Sequence, residues 1–413
     1  MPAFTTTRRP CAAFHLPNTA LRRPQRERRR RLGIALVVLA VAGGCTASGE
    51  EAMAGRLTQV DYDAMPVLTL EPEEMICAAR ADSSCAFVDV NVAAVGPDGR
   101  VALSDGMREI REFGADGQFV RQIGRLGRGP GEYRTVMAAG YDSAGVLTVF
   151  DVWGHRIVRF DSTGAAMDAA PAPQVIATQN AKVVGGRVLL FVLPGAEAIG
   201  DTVQARIVTV GMPGADTATL ARFALPAIAT GDGSLLPPQP PFTAAPYQRW
   251  TVAPDGAAYL ADGARLRIDR VDGERRTIVD GVVTPHPVSD AERDAARERL
   301  TRVSPGMSTA SVESWRRQAE AALAAAPSAH PLVAELVALD DGTLWAREGA
   351  PADADSVRWN AFAPDGRPIG RLTLPARGRL VAGTRERLLL VTHDAFDVPI
   401  VGWYAVRGAA ARR

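Results

Sequence analysis

The 413-residue sequence has one lysine, Lys182, among its 47 basic residues. Such an imbalance points to a GC-rich genome rather than to a function. Cysteine is also scarce: Cys11, Cys45, Cys77 and Cys85 are the whole complement, and no segment gathers the closely spaced ligands of a thiolate metal site. Beyond His15 there are only His155, His286, His330 and His393. They show no paired spacing, and neither H-E-x-x-H nor G-x-S-x-G occurs, which removes the zinc-peptidase and serine-hydrolase signatures. No apolar run reaches the roughly 20 residues of a spanning helix. The longest, Leu32 to about Gly44, has roughly 13 residues and follows a basic stretch that includes Arg28 to Arg31, the layout of a secretory signal.

Small residues Ala42, Gly43 and Gly44 lead into Cys45. That junction resembles the lipobox of bacterial lipoproteins, with Ala42 where leucine is usual, and implies Cys45 as the lipidated first residue of the mature chain. Residues 1–44 then form a signal peptide and 45–56 a polar, flexible tether. Without the nine arginines and one glutamate of 1–44, 38 basic and 45 acidic residues remain, a net charge of −7. So acidic a chain is a poor match for nucleic acid, whose phosphates demand a basic surface. Membrane attachment falls to the lipid. In an exported chain, Cys77 and Cys85, eight residues apart, read as a disulfide.

The body of the chain repeats. Tight turns end at Gly99, Gly145 and Gly256, and each is followed by a short alternating strand that reaches Asp105, Asp151 and Asp262. A further strand runs to a second turn glycine, at Gly117, Gly164 and Gly273. Asp341-Gly342 opens another copy, with its second turn at Gly366 but Glu348 in the aspartate position. Turn glycines between alternating apolar runs are hairpin signals, and four short strands per unit mean propeller blades. The sequence therefore predicts an all-β fold: a six-bladed propeller over 57–407, a helical insertion at about 288–326 and a tail at 408–413. Leu57, Val60, Tyr62, Val67 and Leu68 alternate loosely, and the reading places the ring-closing strand at 57–70. Ser289 with Glu292 forms a capping box, and Val312, Trp315, Ala319 and Leu323 share a helical stripe suited to docking on the parent domain or to a protein contact. Pro237, Pro238, Pro240 and Pro241 keep their loop out of any ladder; Phe242, Tyr247 and Trp250 nearby either fill the core or line a pocket.

Between the first two blades lies GRLGRGPGEYR, residues 124–134. This segment and the flanking repeats, with LVALDDGTLWARE and HDAFDVPIVGWYAVR later in the chain, resemble a bacterial six-bladed β-propeller family related to NHL-type propellers. The resemblance implies a fold and an exported or lipid-anchored location in the periplasm or at the outer membrane; it brings no catalytic set. Glycine amides beside Arg125, Arg128 and Arg134 suit a concave anion site, and they suit equally a crossing in which Glu132 pairs with an arginine. The connector lies on the same face as the loops after Asp105 and Asp151. Arg125, Arg128, Glu132, Tyr133, Arg134, Trp153 and His155 are thus the candidate ligand-binding residues, expected at the channel mouth. The repeated aspartates would serve either as acceptors for nearby turns or as cation ligands and acid–base groups. The leading expectation is a noncatalytic ligand-binding or protein-interaction module at the cell envelope. It needs no cofactor, and its partner is an envelope protein or a small anionic ligand. The alternative is a metal-dependent, lactonase-like hydrolase or lyase.

Overall fold

The computed structural model describes residues 56–77, 83–172, 181–192, 202–210, 217–226, 240, 242, 249–303 and 308–408. The leader, Cys45, nearly all of the tether, Pro237, Pro238, Pro241, Tyr247 and the tail beyond 408 lie outside these residues. Six four-stranded antiparallel sheets form the blades of a six-bladed β-propeller. Blade 1 comprises Val90–Val95, Val101–Asp105, Glu109–Phe113 and Phe119–Ile123, and blade 2 comprises Val136–Tyr141, Leu147–Asp151, Arg156–Phe160 and Ala166–Pro171. The inner strands of blades 3 to 6 are Ala181–Val184, Trp250–Val252, Glu335–Ala338 and Arg379–Thr384. Both turn glycines of blade 1 sit at positive φ, 83° at Gly99 and 70° at Gly117, the backbone that made them legible as hairpin turns.

Each blade buries both faces, and six apolar clusters fill the six gaps between neighbours. Ala94, Ala102, Ile110, Val136, Val149 and Phe160 close the gap between blades 1 and 2. Tyr259, Ile268, Leu336, Leu344 and Phe362 do the same between blades 4 and 5. Trp345, Trp359, Leu372, Leu388 and Leu390 fill the next gap. Alternation along every strand serves two interfaces at once, which is why the blades read as near-continuous apolar runs.

Ring closure corrects one expectation. The closing strand is Leu68–Ile76, paired antiparallel with Pro399–Gly408 on the outside of blade 6, not 57–70. Upstream of it, Gln59–Asp63 forms a short helix, α1. A capping box dictates this: the Thr58 hydroxyl accepts from the Asp61 amide, and the Asp61 carboxylate accepts from the Thr58 amide, so two otherwise orphaned donors are satisfied at the helix start. Tyr62 of α1 is buried and donates to Glu348, while Asn360 Nδ2 donates to both Tyr62 Oη and Glu348 Oε1 at 2.8 Å. Glutamate replaces the repeat's aspartate here because the longer side chain reaches this helix. Burial, followed by the charge of Glu348, pushes the Tyr62 hydroxyl well above its usual pKa, so it stays a donor.

The insertion is helical as predicted, with α2 at Asp290–Thr301, opened by the Ser289–Glu292 capping box, and α3 at Thr309–Ala324. Ala319 and Leu323 of the stripe pack with Ala296, Leu300 and Phe242, and Trp315 Nε1 donates to the Leu300 carbonyl at 2.7 Å. The stripe therefore docks on the chain itself. Phe242 belongs to this small core and Trp250 is fully buried between blades 3 and 4. Cys77 and Cys85 form the disulfide, S–S 2.05 Å, clamping the end of the closing strand to the entrance of blade 1. Closing so short a loop contributes about 2.5 kcal/mol in the chain-entropy account. Replacing both cysteines by serine is expected to lower unfolding free energy by about that amount in denaturant titration, and wild-type protein in reductant should match the double variant.

Candidate functional site

The glycine-rich connector is folded around its own glutamate. Glu132 accepts from the Gly129 amide at 2.7 Å and from Arg125 Nε at 2.8 Å. A side chain on Gly127 would collide with the same carboxylate, so glycine is required there by close approach. The Gly129 amide, then the Arg125 guanidinium, hold the Glu132 carboxyl below the usual glutamate range. The concave amide site foreseen for an external anion is thus occupied internally. Tyr133 is overturned as a ligand contact: it is fully buried, its hydroxyl donating to the Ile123 carbonyl and accepting from the Ile110 amide. Arg134 reaches the Trp153 carbonyl at 3.2 Å, so those two do meet. Arg128, Arg134, Trp153 and His155 are exposed. His155 adopts a positive φ of 50°, and its carbonyl accepts from the Ala172 amide. None of the seven predicted contacts is among the residues that line the central cavity.

The repeated aspartates are structural acceptors. Asp151 is fully buried and accepts from the amides of Arg134, Thr135 and Gly154 at 2.9, 3.0 and 2.8 Å, with Arg156 Nε at 3.2 Å. One carboxylate thereby joins the preceding connector, the following turn and the next strand. Asp105 does the same work with the Val88 and Asp89 amides and Arg111. Asp262 caps only its own turn, through Ala264. Among the described residues no three His, Cys, Asp or Glu side chains gather as a metal-holding group, so the repeated carboxylates supply no donor set there.

The concave site is the axial channel, about 1380 Å³, walled by the inner strands of all six blades. Some of its charged groups are already engaged. Arg379 donates to the Val90 and Asn91 carbonyls at 2.7 and 3.0 Å, stitching blade 6 to blade 1, and Arg377 pairs with Asp397. Lys182, Glu335, Asp340 and Arg347 differ: among the described residues their side chains make no hydrogen bond or ion pair. Lys182, on the inner strand of blade 3, stands over the Trp250 indole of blade 4, 5.6 Å from the ring centroid, in a cation–π arrangement. Glu335 opens the inner strand of blade 5 and lies opposite Arg347 in the antiparallel register. Burial pushes the Lys182 ammonium down from its usual pKa, and the Glu335 charge opposes that shift. The channel lining from blades 3 and 5 therefore carries an amine, a carboxylate and a guanidinium, with the amine backed by the buried Trp250 indole. Sequence reasoning missed this set. Its one available signal was that Lys182 is the sole lysine, which base composition seemed to explain away.

The sequence matches no protein-family model and no curated protein. Among solved structures, a candidate exported protein from Bacteroides fragilis is similar at a TM-score of 0.51 and 12% identity, over 83% of this chain and 96% of that one. A DUF4221-family protein from Bacteroides vulgatus matches at 0.49 and 9%, over 83% and 99%. A gluconolactonase from Xanthomonas campestris matches at 0.38 and 14%, over 83% and 97%. Likeness at such identity speaks to the fold alone, and the latter two scores carry no argument.

Asp151→Ala leaves three backbone donors without their acceptor and is expected to destabilise the protein by about 3 kcal/mol. Asp262→Ala, which loses one exposed cap, should cost about 1 kcal/mol or less. Chemical denaturation of both variants checks the contrast.

Proposed function

We propose that the mature protein is a noncatalytic binding propeller of the bacterial envelope, lipid-anchored through Cys45, which takes a small organic anion in its axial channel. Arg347 carries this reading. It is a guanidinium on the channel wall with no carboxylate bonded to it among the described residues, and its planar fork matches a carboxylate. Elsewhere on the connector face the comparable cradle is filled by Glu132. The apolar stretches of the wall, such as Val92 to Val95 and Met137 to Ala139, suit the organic part of such a ligand. The wall is about as polar as it is apolar, which suits a ligand that has both a charged and an organic part. The basic and apolar leader ahead of Cys45 supports export, and the candidate exported neighbour shares the fold.

Calorimetric titration with a panel of small carboxylic acids is expected to reveal a binder whose affinity falls about tenfold or more in Arg347→Ala, the usual worth of a charged hydrogen bond. Arg125→Ala should leave affinity unchanged. A panel without a binder, or equal losses in the two variants, would refute the channel reading. Independently, Cys45→Ser is expected to move the protein from the membrane fraction to the soluble fraction on cell fractionation, while the unaltered chain labels with radioactive palmitate.

A further inference from the structure

Lys182 is the least expected group in the channel. A lysine that serves as a surface charge keeps its ammonium in water on a mobile stem, and one that serves structurally ends on a carboxylate or carbonyls. Lys182 is half-buried on a channel wall and ends on neither a carboxylate nor a carbonyl. Among the described residues it has no hydrogen bond and no ion pair; it lies against the face of the buried Trp250 and opens onto a cavity of about 1380 Å³. A primary amine attacks carbonyl carbon only when unprotonated, and desolvation against apolar neighbours is one of the standard ways a protein produces the free amine. Burial acts in that direction here. Glu335 lines the same cavity and its charge acts on Lys182; it is a carboxylate without a hydrogen-bond donor of its own among the described residues, and across the strand pair from it stands Arg347. Amine, proton carrier and anion anchor thus share the lining of one cavity, contributed by blades 3 and 5.

We propose that Lys182 captures the carbonyl group of an oxo acid, an aldehyde or ketone that also bears a carboxylate, by forming a reversible imine in the channel. The inference deepens the anion-receptor reading and rests on it, since Arg347 holds the acid group. In the step, the Lys182 nitrogen adds to the carbonyl carbon and one of its protons passes through Glu335 to the oxygen, giving a neutral carbinolamine. The nitrogen lone pair then expels the hydroxyl, which takes a proton from Glu335 and leaves as water. Glu335 recovers that proton from the resulting iminium nitrogen, so the products are the imine and water and Glu335 is unchanged. No oxidant, reductant or metal enters the balance, and hydrolysis returns the ligand unchanged, so capture is compatible with a receptor.

The single lysine makes the test clean. Full-length protein in detergent is treated with glyoxylate and cyanoborohydride, and the modified position is read by peptide mass spectrometry. The expected result is a carboxymethyl group on Lys182, at a rate that saturates with glyoxylate, exceeds that of N-acetyl-lysine at the same pH, and falls about tenfold or more in Arg347→Ala. Lys182→Met should give no label at that position while keeping its melting temperature, because the variant replaces an unpaired amine with an apolar chain of similar length. Labelling that is no faster than N-acetyl-lysine, or that rises linearly with glyoxylate, overturns the proposal. If Lys182 stays unlabelled while carboxylates still bind with Arg347 dependence, imine capture falls and the receptor reading stands; if neither occurs, both fall.

Discussion

Everything in this molecule depends on closing a ring of sheets that are apolar on both faces. A blade left without a neighbour would expose a cluster such as Trp345, Trp359 and Leu388 to water, at roughly 25 cal/mol per Å² of apolar surface. Six such interfaces are satisfied only if the last blade meets the first. The chain achieves this by sending an early strand, Leu68–Ile76, to the outside of the final blade. Two further devices hold the junction: the Cys77–Cys85 bridge, and a buried hydrogen-bonded trio of Tyr62, Glu348 and Asn360 that ties α1 to blade 5.

Within that ring, polar side chains are spent on backbone. Connectors between blades leave amides that no ladder satisfies, and buried amides need acceptors. Asp151, Asp105 and Glu132 are placed to accept from them. A row of carboxylates in a propeller therefore need not be a metal site: the same residues at the same repeat position are what the turns require.

What is left over is informative for the same reason. In a fold where Arg379, Arg377, Asp142 and the repeated aspartates are all engaged, Lys182, Glu335, Asp340 and Arg347 stand out on the channel wall as charged groups without a side-chain partner among the described residues.

Much of this was legible in the residues. Turn glycines with an aspartate at fixed spacing report local backbone needs, so blade count and the helical insertion could be read directly, as could the disulfide from the pairing of two nearby cysteines. The start of the closing strand could not be read by alternation alone, because the Thr58–Asp61 box made a helix of residues that also alternate. The internal roles of the connector were hidden for a different reason. Whether Tyr133 points outward or inward, and whether Glu132 serves a ligand or its own connector, is decided by packing between blades. Likewise nothing local relates Lys182 to Glu335 and Arg347, which are far apart in sequence and meet only because a closed ring of six blades brings every inner strand to one axis. Periodicity along the chain determined the architecture; the channel and its unspent charges came from the closure of that ring in three dimensions.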